Sequence, residues 1–417
     1  MVFVGILGCF MIMFFSWLKL KDLVAPSFIL SAIWLLMYII MLLRRNTVDL
    51  SSVYYISFFV GLCFFIAGFF LIVGNKNKRK CNAIEEKKSN LTFNPFFIKI
   101  LLLAIIGLFL IYAWQTVNFI LENYSFNFWQ TLSIGRRAGT YKESFIISYS
   151  RIMILAFTLV SSIIFYSNPI RKNKRFFLIS LIIASFFTVT GGNRGIMFML
   201  VLAIFFSYII VKNPKNIKVF FILQMVTLII LTIFIVFSFM KFVYQDQSNT
   251  FEFIMNHMRV YFSTSTLAFV QWAESSRDYL YGANTFRFFL AILNTIGYNI
   301  EVPRTVQEFV WVYGDLTNVY TVLYYYAKDF GLFYAFIIQL VLGMIHGFFY
   351  KRSVLFKGIR PFFIGVQSLL YFPLIDQFFD DKYFSIFSTW VQLVFWTWLF
   401  TRKGFLISTN KTIDEKR

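Results

Sequence analysis

The segment Thr190-Gly191-Gly192-Asn193-Arg194-Gly195 puts a guanidinium on a glycine-rich turn. Glycine lets the backbone fold tightly and expose its amides, and the planar fork of arginine grips phosphate oxygens two at a time, so the pair makes a cradle for an anion. Arg151, six residues past Phe145 in an apolar run, is a second cation placed where charge is expensive unless it faces a polar cavity. Arg136, Arg137, Arg259, Arg277, Arg287 and Arg304 extend the set. Snorkelling to lipid headgroups accounts equally well for Arg194 and Arg151. Pairing with Asp246, Glu252, Glu274, Asp278, Glu301, Glu308, Asp315 or Asp329 accounts for single members. It does not cover Arg136, Arg137, Arg151 and Arg194, whose segments hold few acids. Proton transfer in the same region falls to Glu301, Glu308, Asp315, Asp329 or His257, which these residue types alone do not rank.

Metal chemistry has no comparable support. Cys9, Cys63 and Cys81 are scattered, and the two histidines, His257 and His346, form no zinc-type spacing. Asp376, Asp380 and Asp381 lie on a short connecting loop, where solvation explains them as well as a cation would. Neither metal nor cofactor is expected. His346, near the far end of its apolar run, reads as a structural histidine.

The elements that position these groups follow from composition. The chain has 417 residues, 59% hydrophobic and only 14% charged, with 58 phenylalanines. One water-surrounded core cannot hide that much apolar surface, so long segments must face lipid. A cytosolic enzyme, a secreted domain and a disordered chain are excluded. Eleven runs are long enough for membrane helices: Val2 to Leu18, Leu23 to Leu43, Val53 to Gly74, Pro95 to Trp114, Phe145 to Tyr166, Phe176 to Thr190, Ile196 to Val211, Val219 to Phe242, Gly331 to Tyr350, Pro361 to Ile375 and Tyr383 to Phe400. The expected fold is an all-α polytopic membrane protein of about eleven spans, residues 1–417 forming one membrane domain.

Lys and Arg outnumber Asp and Glu by 39 to 19. The excess sits in short loops on alternate connections, around residues 19–21, 75–90, 171–175, 212–218, 351–360 and from 402 onward. That is the pattern of cytoplasmic loops and not of a nucleic-acid-binding face. The C-terminus is then cytoplasmic and the N-terminus outside. Arg44 and Arg45 conflict with this count, since they fall on the outer side. Two outer connections are longer than turns: residues 116–144 and 241–330, the second a folded, largely helical cap with an interfacial helix over Phe286 to Ile296.

One segment in the cap resembles a known family. Gly314-Asp315-Leu316-Thr317-Asn318-Val319-Tyr320-Thr321, followed by Tyr324 to Tyr326 and Asp329-Phe330-Gly331 entering a span, resembles the signature of bacterial O-antigen polymerases of the Wzy type. The Gly-Gly-Asn-Arg-Gly turn is similar to one in the same family. The resemblance implies a GT-C-like glycosyltransferase of the bacterial inner membrane, working at its periplasmic face in lipopolysaccharide biosynthesis. Its reaction would transfer a growing glycan from undecaprenyl pyrophosphate to a new lipid-linked repeat unit. It implies partners of three kinds: the lipid-linked oligosaccharide and polymer, membrane lipids, and a chain-length regulator protein, with no nucleic acid. On this reading Asp329, Glu301, Glu308 and His257 are the catalytic candidates. Arg136, Arg137, Arg151, Arg194, Arg287, Arg304, Asn318 and Tyr320 would hold substrate and pyrophosphate. The related O-antigen ligases share the layout, and a lipid-linked oligosaccharide flippase would also need a cationic cavity. Both stay open as alternatives.

Overall fold

The computed structural model describes residues 1–74, 91–123, 131–132, 135, 140–141, 144–190, 194–242, 260–275, 278–304, 307–356 and 358–408. Each expected apolar run contains a helix, although residues 23–25 and 383–386 lie outside one and Val53–Tyr55 is a 3-10 turn. Among the described residues the long helices that precede the cap are, in chain order, α1 (Val2–Leu20), α2 (Pro26–Leu43), α3 (Ile56–Val73), α4 (Pro95–Glu122), α5 (Phe145–Ser167), α6 (Arg171–Thr190), α7 (Arg194–Lys212) and α8 (Asn216–Phe242). The cap contributes α9 (Ser265–Glu274), α10 (Arg287–Thr295) and α11 (Val322–Phe330), and the chain ends with α12 (Leu332–Tyr350), α13 (Pro361–Ile375) and α14 (Phe387–Phe400). Proline opens α2, α4 and α13, where its missing N–H costs nothing. Eight helices are long and apolar enough to cross a membrane among the described residues. The protein is an all-α polytopic membrane protein.

Boundaries differ from expectation in instructive ways. α4 runs two turns past Trp114 to Glu122, because Gln115, Thr116 and Asn118 end the apolar run without breaking the helix. α6 starts at Arg171, so the Arg-Lys-Asn-Lys-Arg stretch is its first turn and not a loop. α13 and α14 have 15 and 14 residues, about 22 Å at 1.5 Å per residue, short of the roughly 30 Å of hydrocarbon.

Hydrogen bonds gather the basic connections at one end of the bundle. Asn216 Nδ2 donates to the Lys21 carbonyl, Tyr350 Oη to Asp22 Oδ2, Lys351 Nζ to the Ile72 carbonyl, and Asn168 Nδ2 to the Leu91 carbonyl. Strands β1 (Leu91–Phe93) and β4 (Leu406–Ser408) pair antiparallel at the same end. The remaining connections and the cap lie at the other.

The tightest packing is between α3 and α12, which run parallel. A Cβ on Gly68 would lie 2.0 Å from the Leu340 carbonyl oxygen, and one on Gly343 2.0 Å from that of Phe65. Only glycine allows the two backbones this close. α11 is antiparallel to α12, the chain reversing at Gly331 with φ of +85°. Leu323 therefore packs against Gly61 and beside Gln339, seven residues or about 10 Å below the start of α12. The cap thus reaches into the bundle and does not only lie on it.

Gly68→Ala and Gly343→Ala should each lower stability by about 1–3 kcal/mol by forcing the helices apart. Gly107→Ala, with no atom within 4 Å of the added carbon, should change nothing. Thermal unfolding of the detergent-solubilised protein measures both, and equal melting temperatures would contradict the close contact.

Candidate functional site at the cap end

The signature-like segment begins as a hairpin. β2 (Val310–Val312) pairs with β3 (Asp315–Thr317) across Tyr313 and Gly314, both at positive φ (47° and 82°), the geometry that a two-residue turn requires. The hairpin delivers Asp315, which is buried, to Arg44 at the end of α2, 3.2 Å between Oδ2 and Nη2. Arg44 Nη1 donates to Ser263 Oγ at 2.7 Å, and Thr264 Oγ1 donates to Asp315 Oδ2. The arginine that conflicted with the charge count therefore holds the cap to α2. Its position reflects an ion pair, not topology.

Beyond the hairpin, Tyr320 is buried and stacks on Tyr324 with ring centroids 3.8 Å apart, while Asn318 is half-buried. Burial raises the phenol pKa of both tyrosines above the ordinary value. Lys328 Nζ donates to Tyr324 Oη at 2.8 Å, and burial lowers the pKa of its amine.

Asp329, near the end of α11, is 1% exposed and fully occupied. Asn284 N and Nδ2 donate to its Oδ1 at 3.1 and 3.0 Å, and Thr285 N and Oγ1 donate to its Oδ2, both at 2.7 Å. Gly331, not Asp329, precedes α12 as its N-cap. The carboxylate fixes the two residues that lead through Phe286 into Arg287 and α10. Arg287 Nε donates to the Pro303 carbonyl at 2.7 Å.

The loop between α13 and α14 forms the opposite wall. Tyr326 Oη of α11 donates to Asp381 Oδ1 at 3.0 Å, and the amides of Tyr383, Phe384 and Ser385 also donate to this carboxylate. Burial pushes the Asp381 carboxyl up to about 6 although these donors pull it down. Lys382 is ion-paired with Asp380. Asp376 differs from its neighbours: its carboxylate accepts no hydrogen bond among the described residues, and its side chain is half-buried, deep among protein atoms yet touched by solvent. Burial pushes its carboxyl up to about 7, Lys382 opposing and Asp380 adding to the shift.

This loop dips because its flanking helices are short. Tyr383 Oη reaches Nε2 of buried His346 at 2.9 Å, fourteen residues or about 21 Å down α12. His346, expected far from the site, is tied to the loop beside it.

The structure links Arg287 to Pro303, next to Arg304 in the chain, and Asp329 to Thr285, two residues before Arg287, while Glu301, Arg304 and Glu308 are exposed. Arg151 is buried in α5, its guanidinium 6.0 Å from the Tyr112 ring centroid of α4. Arg194 is the first residue of α7. Arg136, Arg137, His257, Arg259, Arg277 and the turn 191–193 lie outside the described residues. Among the described residues no group of three His, Cys, Asp or Glu side chains is arranged to hold a metal ion. Sequence reasoning set Asp376 aside as solvated. The signal that finds it is the length of α13 and α14, too small to bring their connection to the membrane surface.

Comparison with protein-family models, curated proteins and solved structures finds no match to this chain.

Asp329→Ala should cost about 2–4 kcal/mol, since it strands buried donors on Asn284 and Thr285. Asp329→Asn, which keeps one acceptor, should lose less, and exposed Glu301→Ala nearly nothing. Denaturant or thermal unfolding measures the order. A neutral Asp329→Ala would refute the anchoring role.

Proposed function

We propose that the protein is an oligosaccharide repeat-unit polymerase, a GT-C-like glycosyltransferase of the bacterial inner membrane whose cap end faces the periplasm. One observation carries the reading. α11, the core of the segment that resembles the polymerase signature, positions a cation and a carboxylate at once: Asp329 sets Thr285 and hence Arg287, and Tyr326 sets Asp381 and hence the loop of Asp376. Basic connections gathered at the opposite end support the orientation.

In the proposed reaction the anomeric carbon–oxygen bond to undecaprenyl pyrophosphate breaks, and a hydroxyl of the new lipid-linked repeat unit bonds to that carbon. The hydroxyl proton passes to a base, and the pyrophosphate leaves as an anion on its lipid. Arg287, with Arg136, Arg137, Arg151, Arg194 and Arg304 as further candidates, stabilises the developing negative charge. For the base, Asp329 and Asp315 are already engaged by donors, and Glu301 and Glu308 are exposed. Asp376 has open lone pairs and a pKa close to a working pH, which suits a general base.

The base must be deprotonated, so polymerisation by purified protein should rise with pH through about 7 and fall below it. Asp376→Asn should lose about 100-fold or more and the pH step with it, at unchanged melting temperature. Undiminished activity in that variant rules out Asp376. A deletion strain should retain single capped repeat units. Accumulation of unligated lipid-linked polymer instead would identify a ligase.

With arginines supplying the charge, polymerisation of lipid-linked repeat units should continue in excess EDTA. Loss on chelation and recovery with magnesium would put a metal on the carboxylates and leave the arginines to position substrate.

A further inference from the structure

α10 is amphipathic, and its position leaves a cavity. Between α10 and the start of α14 lies a space of about 340 Å³, lined by Arg287, Phe288, Ile292, Ser385, Phe387 and Ser388 among others. Its size lies within the range of roughly 300–1,000 Å³ usual for ligand pockets. Phe288 and Phe387 form part of its wall, ring centroids 5.4 Å apart. α10 exposes Phe289 at 50%, and Ile292 and Ile296, which also border the cavity, at 44 and 65%. An apolar helix face of this kind rests among lipid chains.

Arg287 is the cation of this cavity. Its Nε is used by the Pro303 carbonyl, and among the described residues no carboxylate pairs with its guanidinium and no other hydrogen bond reaches it. Asp329 takes its hydrogen bonds from Asn284 and Thr285 and makes no ion pair with Arg287. The cavity therefore has one charged end, hydroxyls of Ser385 and Ser388, and walls that are otherwise largely aromatic and aliphatic.

We propose that this cavity holds the phosphate end of a polyprenyl pyrophosphate, with Arg287 on the phosphate oxygens and the first isoprene units against Phe288, Ile292 and Phe387. The proposal rests on the polymerase reading and locates the lipid carrier within it. A free anion gains nothing from the apolar walls, and a site built for one carries several donors. A phospholipid would present a phosphate but two chains, whereas the cavity offers about 340 Å³ of space beside one cation. The terminal nitrogens of an arginine held at Nε are set for bidentate contact with a pyrophosphate.

The test uses the full chain in phosphatidylcholine nanodiscs with a photoreactive polyprenyl pyrophosphate, labelled sites being mapped by mass spectrometry. Labels should fall on α10 and the first turns of α14. Unlabelled polyprenyl pyrophosphate should compete, and inorganic pyrophosphate and phosphatidylglycerol should not. Arg287→Gln should weaken labelling about tenfold. Ile292→Trp, which fills the cavity and leaves the charge, should abolish it, with melting temperatures confirming that both variants fold. Labels elsewhere, labelling indifferent to both variants, or equal competition by phosphatidylglycerol or inorganic pyrophosphate each overturn the proposal. Polymerisation with labels elsewhere rejects the cavity and keeps the polymerase reading. Labels here in a protein that transfers no sugar do the reverse.

Discussion

A carboxylate withdrawn from water must have its oxygens filled by donors, and the cap end of this protein is folded around three that obey this demand. Asp315 takes its donors from α2 and the turn before α9, Asp329 from residues 284 and 285, and Asp381 from α11 and its own loop. Each is more than nine-tenths buried. Each joins pieces of chain that are distant in sequence, so the cap is held mainly by directional bonds where the bundle below is held by packing. An unfilled oxygen in such surroundings is costly, which makes the geometry of these loops hard to alter one residue at a time.

The two kinds of bonding meet at α11. Its Leu323 packs on Gly61 of α3 and its Tyr324 stacks on Tyr320, while Tyr326 and Asp329 reach out to two separate loops. The close parallel contact of α3 with α12 gives this short helix a rigid bed. Arg287 and Asp376, the groups assigned chemistry on the proposed reading, are each one link away from it. Neither is on α11 itself.

Much of the bundle was legible in the sequence because continuous apolar runs have few structural solutions in lipid. Each of the eleven runs contains a helix, eight of the described helices are long and apolar enough to span, and the polar ends of α4 and α6 were missed only because helix continues where hydrophobicity stops. The site was less legible. Asp329 stands two residues before an apolar run with nothing nearby in sequence to show its role, and its four donors come from more than forty residues away. Arg44 broke the charge rule, and its partner Asp315 lies in another part of the chain. The depth of the Asp376 loop was available from arithmetic: Pro361–Ile375 and Phe387–Phe400, at about 1.5 Å per residue, are too short to cross the hydrocarbon. His346 shows the same point, since distance from a helix end says little when a neighbouring loop comes down to meet it.

The two short helices also change how a molecule finds the site. Where helices end below the membrane surface, the connecting loop lies level with the headgroups and chain tops of the surrounding leaflet and not above them. A lipid-anchored substrate then needs no extraction from the bilayer to meet it, and its search is confined to diffusion within a plane. A product that keeps its anchor stays in that plane and at that depth. On the proposed reading, each extended chain remains a near neighbour of the enzyme that made it, which favours repeated turnover on one polymer over starting another.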